Sequence, residues 1–67
     1  MDWDDYNDKT KPVMYFLRKV YQDNPHEMLS LECAHAEEDL DILIGALEEI
    51  QNRISGMIKS LKDIKQL

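Results

Sequence analysis

The chain has one cysteine, Cys33, among its 67 residues. No intrachain disulfide can form, and a cysteine-rich zinc site is equally excluded. Aromatic residues are scarce, with one Trp, one Phe and three Tyr, so any core must be mostly aliphatic. The longest apolar stretch is Ile42-Leu43-Ile44, continued by Gly45, Ala46 and Leu47. It falls far short of the ~20 residues that span a bilayer. The opening MDWDDYND is acidic and lacks the apolar segment of a signal peptide. With Met1 at the start, the expectation is a complete small product of the cytoplasm, or of a host's cytoplasm if phage-encoded, with no membrane partner.

Bases are also missing where acids are dense. Residues 25–49 hold Glu27, Glu32, Glu37, Glu38, Asp39, Asp41, Glu48 and Glu49 without a single Lys or Arg. The net charge is −6, divided as −1 over residues 1–24, −8 over 25–49 and +3 over 50–67. Direct nucleic-acid binding needs a basic face, so this balance argues against it.

A chain of this size buries only ~60% of its unfolded surface. Such chains lean on disulfides, a metal or oligomerisation. With the first excluded, a second chain is the expected supplement.

What is present is helical periodicity. Val13, Phe16, Leu17 and Val20, with Met14 and Tyr21 beside them, recur at three- and four-residue spacing. The pattern predicts a short helix over about 11–23, with Thr10 as N-cap and Pro12 in the first turn. Pro25 ends it by pushing Asn24 out of the α region. Asn24, Pro25 and Glu27 then form a helix-start signal of the capping-box type.

From there Leu29, Cys33, Ala36, Leu40, Leu43, Leu47, Ile50, Ile54, Met57, Leu61 and Ile64 follow alternating steps of four and three. Cys33, Leu40, Leu47, Ile54 and Leu61 take position a of a heptad, and the others position d. This predicts one long helix over about 25–66, with Ser55-Gly56 as its weakest point. Ile44 and Ile58 widen the face beyond a two-stranded seam, which suits a bundle. A second stripe, Met28, Leu31 and Ile42, offers the first helix a place to fold. The fold class expected is all-α: a helical hairpin completed by oligomerisation, with the seam facing a second copy. The charge blocks favour an antiparallel homodimer, because a parallel one sets acid beside acid.

Chemistry-bearing groups are sparse. Cys33 and His35 are two apart and point to different faces of a helix, and His26 sits in a first turn. Glu32 and His35 have the Glu-x-x-His spacing of di-iron bundles, but neither lies on the seam. No catalytic, metal or cofactor site is expected. A helix-turn-helix DNA reader is disfavoured, since the second helix would carry −8 into a groove lined by phosphates.

Two features remain as candidate partner-binding sites. Residues 1–9 read as a non-helical acidic arm bearing Trp3 and Tyr6, either exposed anchors or a flap over the chain's own core. Glu37, Glu38, Asp39 and Asp41 form an acidic face, either a solubilising surface or a mimic of nucleic-acid phosphates of the anti-CRISPR kind. The expected function is a small acidic regulatory or inhibitory protein that binds another protein, not an enzyme. The alternative is a structural coiled-coil scaffold.

Overall fold

A computed structural model describes residues 2–67. Among them are three helices and no strand: α1 (Trp3–Val20), α2 (Pro25–Ala36) and α3 (Leu40–Lys65). The all-α expectation holds. α1 stops at Val20, short of the expected 23, and the boundaries differ more widely in two places.

First, the acidic arm is helical. α1 begins at Trp3, eight residues before the expected start near Lys11. Asp4 and Asp5 in the first turn and Arg18 and Lys19 in the last complement the helix dipole. Thr10 is therefore not an N-cap. It lies inside the helix, and its hydroxyl donates to the Tyr6 carbonyl at 2.7 Å. Pro12 also lies inside α1, where it has no N–H for the carbonyl four residues back.

Second, the long helix is divided, and not at Ser55-Gly56. α2 ends at Ala36 and α3 starts at Leu40. Glu38 adopts φ 58°, in the left-handed region. Its N–H bonds to the His35 carbonyl at 3.1 Å, and the Asp39 N–H reaches the Ala34 carbonyl at 2.9 Å. This is the Schellman arrangement, with Glu38 where glycine is usual. The start of α2 matches expectation: Pro25 opens it, and the Asn24 side chain accepts from the Glu27 N–H at 3.3 Å.

The break changes which residues meet. The core joins Met14, Leu17 and Tyr21 of α1 and its C-cap, Leu31 and Ala34 of α2, and Leu43 and Ile50 of α3. Val13, Met28, Ala46 and Leu47 pack at its margin. On α2 the inward face is thus Met28, Leu31 and Ala34. The seam residues Leu29, Cys33 and Ala36 point outward and are exposed. On α1 the inward face is rotated from the expected stripe, leaving Phe16 and Val20 exposed.

α2 packs on both neighbours, but no Cα of α1 comes within 8 Å of a Cα of α3. Beyond Ile50, every residue of α3 is exposed. The molecule measures 52 × 25 × 17 Å, with a radius of gyration of 15.0 Å, where a compact chain of this length would have about 11 Å.

Candidate interaction surface

α3 carries one apolar stripe with two environments. Leu43, Leu47 and Ile50 face the body, and Leu43 and Ile50 are buried. The same stripe continues through Ile54, Met57, Leu61 and Ile64, with Ile58 beside it, and there every residue is exposed, Leu61 to 67%. α1 and α2 end before the stripe does. Arg53, Lys59, Lys62 and Lys65 share this stretch with a single acid, Asp63. Arg53 pairs with Glu49 one turn back at 2.8 Å, both side chains well exposed.

The remaining seam residues do not form one surface with it. Leu29, Cys33 and Ala36 lie on the outside of α2, across the break, and Leu40 is exposed at the start of α3. The heptad spacing puts eleven residues on a single face; the structure separates those of α2 from those of α3.

At the opposite end of the body an aromatic cluster ties α1 to α2. Tyr6 stacks on His35 with ring centroids 5.0 Å apart, and Trp3 stacks on Tyr6 at 5.4 Å. The Tyr6 hydroxyl donates to the His35 carbonyl at 2.7 Å. The Thr10 hydroxyl lies 2.7 Å from His35 Nε2. Tyr6 is only 5% exposed. It closes the core rather than standing out as an anchor; of the two arm aromatics only Trp3, 47% exposed, faces solvent. Burial raises the Tyr6 phenol above its ordinary value, and the Glu38 carboxylate raises it further.

The α2–α3 turn lies at this same end, so Glu37, Glu38, Asp39 and Asp41 gather around it near the aromatic cluster. Sequence reading named both features without a reason to join them. It also missed the link between Arg18 and Glu32. There the guanidinium Nε donates to a carboxylate oxygen at 2.7 Å. That hydrogen bond holds the Glu32 carboxyl below its usual range against the opposing effect of burial.

No family model, curated protein or solved structure matches this chain. Its reading therefore rests on its own geometry. Among the described residues no three His, Cys, Asp or Glu side chains are grouped to hold a metal ion, and no helix is long and apolar enough to cross a membrane. Cys33 makes no hydrogen bond to either histidine among those residues. An open groove of about 370 Å³ lies where α1 ends against α3, lined by Val20, Tyr21, Asn24, Glu27, Glu49 and Arg53.

Proposed function

We propose that this chain is a non-catalytic protein-association module that acts by holding a helix against the bare half of α3. The observation that carries the reading is the apolar stripe Leu43, Leu47, Ile50, Ile54, Met57, Leu61 and Ile64, which outruns the core it helps to build. Spacing of three and four residues is how helices present anchors to a partner. A row of exposed apolar side chains rimmed by polar ones marks an interaction site in a small protein.

The test is capture. The immobilised chain and its Leu61→Asp variant are exposed to lysate of the native source, and retained proteins are identified by mass spectrometry. Proteins held by the wild type and lost with the variant support the reading. Identical sets from both would overturn it. If the stripe-dependent set contains only this chain, its role is that of an assembly piece, the scaffold alternative.

A second reading is favoured by the end of the body where Trp3, Glu37, Glu38, Asp39 and Asp41 are gathered. There an acidic surface with one exposed aromatic suits a basic partner, in the manner of a nucleic-acid mimic. Changing the four acids to lysine would then abolish capture, and a DNA or RNA duplex would compete with it at low salt. Capture that survives both treatments excludes mimicry.

A further inference from the structure

The two halves of α3 match in length and lie in stretches of opposite charge, and the chain has surplus exposed area. Leu40 to Ile50, the packed stretch, and Ile54 to Ile64, the bare one, each span about 15 Å of helix. Residues 25–49 carry eight acids and no base, whereas 50–67 carry four bases and one acid. The chain exposes 5533 Å², where a compact monomer of 7.9 kDa would expose about 4,400 Å². The surplus, roughly 1,100 Å², exceeds the ~800 Å² that each partner buries in a standard interface.

We propose that the occupant of the bare half is a second copy of this chain, antiparallel to the first. In this arrangement a two-fold axis crosses α3 near Asn52. Each copy's Ile54–Ile64 stretch lies beside the other's Leu40–Ile50 stretch, where Leu40 and Ile44 are exposed. The proposal rests on the association reading and names its partner. At each end the body gains a fourth helix, so α1, α2 and the first half of α3 join the second half of the other copy's α3 in a four-helix arrangement.

Lys62 and Lys65 then approach the turn that holds Glu37, Glu38, Asp39 and Asp41 in the other copy. A parallel pair would instead set the two basic halves side by side and the two acidic bodies together, and like charges disfavour it. The seam alone fits both directions; charge and the matching lengths select one.

Sedimentation equilibrium of the full chain at rising concentration is expected to show a shift from 7.9 kDa to twice that mass. Leu61→Asp should stay monomeric and keep the amide chemical shifts of residues 6–50. Should that variant fail to fold, Lys62→Glu with Lys65→Glu leaves every apolar contact intact and should weaken the dimer at least tenfold. Orientation is read from Trp3, the only tryptophan. A nitroxide on Lys65→Cys, in a Cys33→Ser background, lies far from Trp3 of its own chain, since α3 alone separates them by ~38 Å. In the antiparallel dimer it comes close to Trp3 of the other copy and quenches it, and dilution restores the emission.

A dimer without quenching overturns the arrangement. A monomer at every concentration overturns the second copy as occupant. That failure differs from failure of the association reading, which falls only if lysate capture is indifferent to Leu61→Asp.

Discussion

Ile50 and Ile54 sit one turn apart on the same stripe of α3, yet Ile50 is 7% exposed and Ile54 44%. The side chains are identical, and the helix runs unbroken between them. What changes is the neighbour: the core ends at Ile50, and past it the stripe faces water.

The boundary predicts unequal costs for equal chemistry. Leu43→Ala removes buried methyl groups and should cost about 2–5 kcal/mol, most of the ~5 kcal/mol that a core this small supplies. Ile64→Ala, on the bare half, should change the stability of dilute protein by at most about 0.5 kcal/mol. Thermal melts by circular dichroism at low concentration compare the two. Equal losses would mean that the packed stretch is longer than the structure has it.

Glu38 offers a gain. Its φ of 58° costs an L-residue about 1–2 kcal/mol that glycine does not incur. Glu38→Gly should raise stability by about 1 kcal/mol, or some 4–8 °C in Tm for a domain of this size. A lower Tm would show that α2 and α3 are one helix in solution, where glycine is unfavourable.

Gly56 offers a second gain, and it tests the continuity of α3. A Cβ built there meets nothing within 4 Å. Gly56→Ala should therefore stabilise the helix by about 1 kcal/mol, seen as higher helicity in the Leu61→Asp monomer. Lower helicity would point to a hinge at Ser55-Gly56.

The Tyr6 hydroxyl couples stability to pH. Tyr6→Phe loses the bond to the His35 carbonyl and should cost about 1 kcal/mol at neutral pH. Burial raises the folded phenol above its unfolded value. The folded state therefore holds that proton more tightly, and its contribution is complete below the unfolded value. It is lost as pH rises through the folded one. The gap between wild type and Tyr6→Phe, measured by urea denaturation, should thus narrow above about pH 10. A gap constant into strong alkali would place Tyr6 in solvent.

Several elements were legible in the residues alone. Three- and four-residue spacing determined that the chain is helical. Asn24, Pro25 and Glu27 determined where α2 begins, because a cap and a fixed φ act within one turn of chain. The inward face of α2 was half legible: Met28 and Leu31 stood out as a second stripe, while Ala34 did not.

The break at residues 37–39 left no such mark. The residue that turns the backbone is a glutamate instead of a glycine, and the heptad spacing runs through the break undisturbed. The helicity of residues 3–9 was hidden for a different reason. Aspartates and asparagine disfavour a helix interior locally. There the contacts that offset them, Tyr6 on His35 and Thr10 on its ring, join positions 25–29 residues apart in sequence.

The stripe of α3 shows the division most clearly. Its spacing, and so its apolar face, belongs to the sequence, and it is the same before and after Ile50. Which half is core and which is bare was decided only by tertiary structure, because burial depends on where α1 and α2 end in space, and no residue of α3 encodes that.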